Sequence, residues 1–146
     1  MVVDTVESIM SRKVRAIDVS ASLHEVAKIM KKDNISTVII TKDNDPVGIV
    51  TERDMAQKVV AEALDVKKVS AEKIMSTPLQ TIELGTSIFY AQRLMQQEKF
   101  KKLPIVEGTK LVGIVTQTDI SNYLTQKRKE FVLKSLDKSA QEAYPV

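Results

Sequence analysis

The chain contains no cysteine, which excludes a disulfide framework, a cysteine-ligated zinc site and a thiol nucleophile. Its single histidine, His24, falls near a helix start and off the apolar stripe of Leu23 and Val26, with no convergent partner for metal or acid–base work. Aromatic residues are 4 % of the chain, too few for the stacking platforms of a dedicated single-strand nucleic-acid binder. Apolar runs such as Thr37–Ile40 and Val112–Val115 are far too short to cross a bilayer. No G-x-x-x-x-G-K-S/T string occurs, so P-loop nucleotide hydrolysis is not indicated. Asp4 and Glu7 stand where a secretory signal would be basic and then apolar. No nucleophile–base pair or pair of carboxylates stands out. These absences lead to the expectation of a cytoplasmic protein that is not an enzyme, with no membrane contact.

At 146 residues the chain has the length of one compact unit. Hydrophobic residues make up 43 % and charged residues 28 %, as in ordinary globular domains. The net charge of +3 is uneven: residues 1–73 carry 12 basic and 12 acidic residues, residues 74–146 carry 10 and 7. The excess sits in Lys99, Lys101 and Lys102 and in Lys127-Arg128-Lys129. Solvated lysines on a helix face explain such clusters more simply than nucleic acid does.

What the chain does have is an internal repeat. Shifted by 65 positions without a gap, residues 6–54 fall on residues 71–119, and 14 of 49 aligned pairs are identical. The match is densest where Val47-Gly48-Ile49-Val50-Thr51-x-x-Asp54 meets Val112-Gly113-Ile114-Val115-Thr116-x-x-Asp119. A repeat decides the architecture and places any site in duplicate. Neither copy alone buries much surface, so the two are expected to share a core.

Each copy opens with a short segment (Val6–Met10; Ala71–Met75) and an extended one (Val14–Ile17; Leu79–Ile82). Ser22-x-x-Glu25 is a capping-box start, and Leu23, Val26, Ala27 and Met30 follow the spacing of an amphipathic helix. Its counterpart carries Ile88, Ala91, Leu94 and Met95. Two β-rich runs follow, Thr37–Ile40 and Val47–Val50, around the turn cluster Lys42–Asp45. The second copy has Leu103–Val106 and Leu111–Val115 around Glu107–Lys110. Thr51 then opens a helix with Met55, Val59 and Val60 apolar, and Thr116 opens one with Ile120 and Leu124. Each unit reads β-α-β-β-α.

Gly48 and Gly113, inside strands, predict a bulge or a close backbone approach, and Pro104 is expected at a strand edge or first position. Residues 61–70 contain neither glycine nor proline and form a firm connection. Phe131, Val132, Leu133 and Leu136 predict that the last helix continues and packs. The boundaries are 4–64 for the first repeat, 65–125 for the second and 126–146 for a C-terminal helical tail.

Two copies of M-S-x-x-V/L-x-x-I followed by a helix and by V-G-I-V-T-x-x-D resemble a tandem pair of CBS domains, the module first named for cystathionine β-synthase. The resemblance covers residues 4–125. It implies an α+β fold of two βαββα repeats related by a pseudo-twofold axis, sheets packed together and helices outside. It further implies homodimerisation into a disc of four repeats. The two clefts would bind adenosine-containing ligands: AMP, ADP or ATP, with S-adenosylmethionine or NAD as further candidates and no cofactor required. By the same resemblance a stand-alone pair of this kind would act as a sensor or as a partner of other proteins, with the effector not named by the sequence.

Local chemistry agrees with such a ligand. Thr51 and Thr116 stand where a strand becomes a helix, where free N–H groups and a hydroxyl suit a phosphate. Asp54 and Asp119 present acceptors suited to two ribose hydroxyls, and Ile49 and Ile114 would wall the base. Thr-x-x-Asp is also plain capping chemistry, and local sequence leaves both roles open; the repeat and the resemblance favour binding. By resemblance, Thr116 and Asp119 would face Arg12, Lys13 and Val14, with Ser36 near the rim and Lys101 within reach of a phosphate. Thr51 and Asp54 would face Thr77, Pro78 and Leu79, with Arg53 available to a phosphate. The copies depart from each other at Arg12-Lys13 against Thr77-Pro78, at Ile39 against Pro104, and at Glu52-Arg53 against Gln117-Thr118. The clefts should therefore differ, with the Thr51/Asp54 side the better adenine site. A ligand-free scaffold is the alternative reading, and a nucleic-acid-binding accessory a weaker one.

Overall fold

A computed structural model describes residues 4–136; the expected tail from residue 137 onward lies outside the described residues. A 3-10 turn at Val6–Ser8 leads to β1 (Ala16–Asp18), α1 (Leu23–Asp33), β2 (Thr37–Lys42) and β3 (Asp45–Thr51). A short helix α2 (Glu52–Asp54) then widens into a π-type helix over Met55–Val60. The second copy repeats the pattern: a 3-10 turn at Ala71–Lys73, β4 (Ile82–Glu83), α3 (Ile88–Glu98), β5 (Lys102–Glu107), β6 (Lys110–Thr116) and α4 (Gln117–Ser135). Each copy makes one three-stranded sheet, β1-β2-β3 or β4-β5-β6, with a parallel first pair and an antiparallel hairpin.

The helices start where the sequence caps them. Ser22 accepts from the Glu25 N–H at 3.1 Å while the Glu25 carboxylate accepts from the Ser22 N–H at 3.0 Å, two otherwise orphan donors satisfied at once. Ser87 does the first half of this for α3, through the Tyr90 N–H. Both helices end on a left-handed residue, Asn34 and Lys99, 65 positions apart. The apolar stripe of α1, Leu23, Val26 and Met30, is buried against Val38, Ile40 and Val50. Ile88, Ala91 and Met95 of α3 do the same against Leu103, Ile105 and Val115. Each fully buried aliphatic side chain contributes about 1.5–3 kcal/mol.

Each core is completed by the other copy's opening segment. Val6, Ile9 and Met10 pack with the second copy, and Ala71, Ile74 and Met75 pack with the first. The backbone repeats the exchange: Ser11 pairs with Ile114, and Ser76 with Ile49. These are the same contact written twice, 65 positions apart. Lys102 Nζ donates to Thr37 Oγ1 at 2.9 Å; since these two positions are also equivalent, the contact lies on the pseudo-twofold axis. Ile39 and Pro104 on the sheet faces turned from the helices are buried, as two packed sheets require.

The two strand glycines serve this exchange. A Cβ on Gly48 would lie 2.5 Å from Met75 Sδ, and one on Gly113 would lie 2.6 Å from Met10 Sδ and 2.9 Å from the Ser11 carbonyl oxygen. Each glycine also sits beside a register shift, at Ile40/Thr41 and Ile105/Val106.

Two expectations are corrected. Pro104 is neither at an edge nor first; it lies inside β5, the central strand of its sheet. The sheet accommodates it by shortening β4. In the first copy the Ile39 N–H donates to the Arg15 carbonyl at 2.9 Å, and β1 begins at Ala16 opposite Ile39. Proline has no such donor, and β4 begins one residue later, at Ile82 opposite Ile105. Of the apolar pair Val59 and Val60, Val59 takes the core position and Val60, 75 % exposed, turns to solvent. The last helix does continue through Ser135, but Phe131 is 72 % exposed along it.

Candidate functional site

The exchange of segments brings one wall from each copy to the junction of β3 and α2. There, Ile49, Thr51 and Arg53 from the first copy meet Ser76, Pro78 and Leu79 from the segment after the second 3-10 turn. Ser36 joins them, its carbonyl accepting from the Glu52 N–H at 2.9 Å. The far side is the stretch from Lys99 to Lys102. Together they line a cavity of about 460 Å³, within the range of small-molecule sites. Arg53, Lys99, Lys101 and Lys102 are its cations and Glu52 its one acid, a balance that attracts an anionic ligand.

Thr51 ends β3 in an extended conformation and caps α2. Its hydroxyl accepts from the Asp54 N–H at 3.1 Å, and the Asp54 carboxylate accepts from the Thr51 N–H at 2.9 Å. The same Asp54 oxygen also takes the Thr51 hydroxyl at 3.1 Å. Its other oxygen pairs with Lys58 Nζ at 3.2 Å, and the Asp54 side chain is 13 % exposed. Asp54 therefore stands behind Thr51 and does not itself line the cavity. Thr77 is exposed and also outside the lining.

Ser36 and Lys101, expected with the second cleft, line this one. The Lys101 backbone faces the other way, its carbonyl accepting from the Gln117 N–H at 2.8 Å. Thr116 and Asp119 form the equivalent capping box, at 2.8 and 3.1 Å. With Ile114 and the exposed Arg12 they occupy the symmetry-related position, on the strand paired with Ser11, and they do not line this cavity.

Five lining residues were not assigned to the site by the sequence reading: Glu52, Ser76, Lys99, Phe100 and Lys102. Ser76 was findable, as the repeat mate of Ser11. Lys58 was findable as the i+4 partner of Asp54. Among the described residues no cluster of three metal-ligating side chains occurs, and no helix is long and apolar enough to cross a membrane.

Residues 6–61 and 71–126 each match the CBS domain. The chain belongs to the CBS-domain family. This CBS pair is 41 % identical over 98 residues to an uncharacterised protein of Methanopyrus kandleri, covering 66 % of the chain and 50 % of that protein. It spans half or less of the first curated relatives' own length. Among solved structures, a hexameric CBS-CP12 protein from bloom-forming cyanobacteria is 31 % identical, with a TM-score of 0.73 over 83 % of this chain and 68 % of that one. A CBS domain pair in complex with 5′-methylthioadenosine and S-adenosyl-L-methionine is 29 % identical, with a TM-score of 0.71 over 86 % of this chain and 99 % of that one.

Proposed function

We propose that this CBS pair is a non-catalytic sensor that binds an adenosine-containing ligand in the Thr51 cavity and reports occupancy to an effector protein. The observation that carries the reading is the cavity itself. It is built from both copies, it is of ligand size, and its cations are those that an adenine nucleotide needs. The base would lie between Ile49 and the Pro78–Leu79 wall, and the phosphate against Thr51, Arg53 and Lys101. The ribose hydroxyls would reach Asp54 by replacing its present partners. AMP, ADP and ATP are the ligands this charge favours. The complexed CBS pair described above supports the adenosine part. Homodimerisation and a cytoplasmic location belong to the same proposal.

The closed capping boxes favour one other reading, a scaffold in which Thr-x-x-Asp only ends strands and starts helices. Titration calorimetry with AMP, ADP, ATP, S-adenosylmethionine and NAD separates the two. The sensor predicts micromolar binding of at least one nucleotide, weakened by about tenfold or more in Asp54→Ala, as loss of a charged hydrogen-bond acceptor implies. Heat from no ligand, with the fold intact, refutes the sensor and leaves the scaffold.

A further inference from the structure

We infer that the Thr51 cavity selects its nucleotide by phosphate number, taking a di- or triphosphate over the monophosphate, and that Lys102 sets this preference. The inference deepens the sensor reading and rests on it. Its own basis is positive charge that the fold leaves uncompensated. Arg53, Lys99, Lys101 and Lys102 all line the cavity. Among the described residues no carboxylate pairs with any of them, whereas Arg15, Lys58, Lys68 and Lys127 do find such partners. Glu52 is the one acid in the lining, so positive charge is in clear excess. A phosphate monoester brings about two negative charges at pH 7. A monophosphate therefore leaves part of that excess unmatched, and a longer phosphate chain matches it.

The frame of the repeat does not require this charge. The positions 65 residues away hold Thr118, Asn34, Ser36 and Thr37, all neutral. The hairpins and capping boxes nevertheless close alike in both copies. Lys102 is the fixed member of the four. Arg53, Lys99 and Lys101 are exposed, whereas Lys102 is half-buried and its ammonium donates to Thr37 Oγ1 at 2.9 Å. Thr37 stands directly opposite Thr51 on the β2–β3 hairpin, and such pairs hold their Cβ atoms about 5 Å apart on one face of a sheet. The Lys102 backbone lies opposite Thr116 on the β5–β6 hairpin. A lysine of the second copy thus lends its charge across the pseudo-axis to the first copy's Thr51. With the base against Ile49 and the first phosphate against Thr51, the next phosphoryl group meets the Lys102 ammonium. A lysine has three donors; Thr37 takes one and the others are left for phosphate oxygens. An ammonium already held in place loses little freedom when the ligand arrives.

Calorimetry with AMP, ADP and ATP, in the presence of a chelator, tests this on wild type, Lys102→Gln, Lys102→Arg and Lys110→Gln. Glutamine keeps a donor for Thr37 and removes the charge, and arginine keeps the charge. Lys110→Gln removes an exposed charge outside the lining. Each variant is compared at equal folded content, read by circular dichroism. Wild type should bind ATP at least about tenfold tighter than AMP, the scale of one added charged hydrogen bond. In Lys102→Gln the AMP affinity should hold within about twofold, while the preference for ATP falls to about twofold or less. Lys102→Arg and Lys110→Gln should keep the wild-type preference. If wild type binds AMP as tightly as ATP, phosphate selection is refuted and the sensor stands. If wild type prefers ATP and Lys102→Gln keeps that preference, Lys102 is not its source. If no nucleotide binds the folded wild type, the sensor reading falls and takes this inference with it.

Discussion

Replacing each strand glycine by alanine tests the exchanged packing directly, because the two sites differ in one respect. At Gly48 the three atoms nearest a new methyl all belong to the Met75 side chain, Sδ, Cγ and Cβ at 2.5, 2.9 and 3.1 Å. Comfortable carbon contacts begin near 3.5 Å, so the methionine must move by roughly 1 Å. Its three rotatable bonds allow that, at a cost of about 1 kcal/mol. Alanine recovers about 0.4–1 kcal/mol by restricting the unfolded chain, and neither glycine has a positive φ to forfeit. Gly48→Ala should therefore be close to neutral. At Gly113 the methyl meets Met10 Sδ at 2.6 Å and also the Ser11 carbonyl oxygen at 2.9 Å. That oxygen accepts from the Ile114 N–H at 3.0 Å, and displacing it forfeits a hydrogen bond worth about 1 kcal/mol. The net loss is about 1–2 kcal/mol, or roughly 3–6 °C in Tm for a chain of this size. Differential scanning calorimetry reads both shifts. A second-site change sharpens the test, since residues in contact couple. In a Met75→Ala background Gly48→Ala should cost less than in wild type, because Sδ and Cγ are gone and Cβ at 3.1 Å remains. In a Met10→Ala background Gly113→Ala should still destabilise, because the carbonyl remains. Equal losses at the two glycines, or full rescue by Met10→Ala, would refute the backbone contact between Ser11 and the Gly113 strand.

Two smaller effects follow from the same contacts. Ser22→Ala opens the α1 capping box and should lower stability by about 1 kcal/mol, measured by urea denaturation with an unchanged slope. The N-terminal strap should respond to acid. The Tyr123 hydroxyl and the nearby Lys127 hold the Asp4 carboxyl below its ordinary 3.8, and the Thr5 hydroxyl and the Gly85 N–H hold Glu7 below its ordinary 4.5. A depressed carboxylate stabilises the fold above its unfolded value, and the contribution disappears as pH falls through the folded one. Amide exchange over residues 4–10 should therefore accelerate below about pH 4, with a smaller acid response in Tyr123→Phe. An unchanged response in that variant would remove Asp4 from the account.

Much of the frame is legible before any coordinates. Ser22-x-x-Glu25 and the spacing of Leu23, Val26 and Met30 give α1 its start and its buried face, because capping and periodicity are local. The 65-residue offset gives the second half. What sequence does not disclose is which core a segment joins. Val6, Ile9 and Met10 are apolar in a way that suits either half, and only the cross-pairing of Ser11 with Ile114 assigns them. Pro104 was misplaced for a related reason. Whether a central strand tolerates proline depends on where the neighbouring strand begins, and β4 begins one residue late. The cavity was half legible. Thr51, Arg53 and Pro78 follow from a motif, whereas Lys99 and Lys102 opposite arrive by folding, having read in sequence as a solvated cluster, and Lys101 was assigned to the other cleft.

The two halves share their frame and differ in what surrounds it. Both Thr-x-x-Asp boxes are closed, with near-identical hydrogen bonds, so the box explains helix starts in both copies and cannot by itself distinguish a binding cleft from a structural one. The two halves differ instead in residues that the repeat did not keep: Thr77-Pro78 against Arg12-Lys13, and Lys58 against Tyr123. The exchanged segments then give the proposed sensor its mechanical consequence. Ser76 lines the Thr51 cavity at the end of a segment whose Ala71 and Ile74 lie in the core of the first copy. A shift of that wall cannot stay at the surface, because close-packed interiors transmit displacement. The size of the response is bounded by how much better a ligand binds one arrangement of that segment than the other. On this reading the packing of Ala71 and Ile74 carries the signal, while the Thr-x-x-Asp motif sets where the ligand sits.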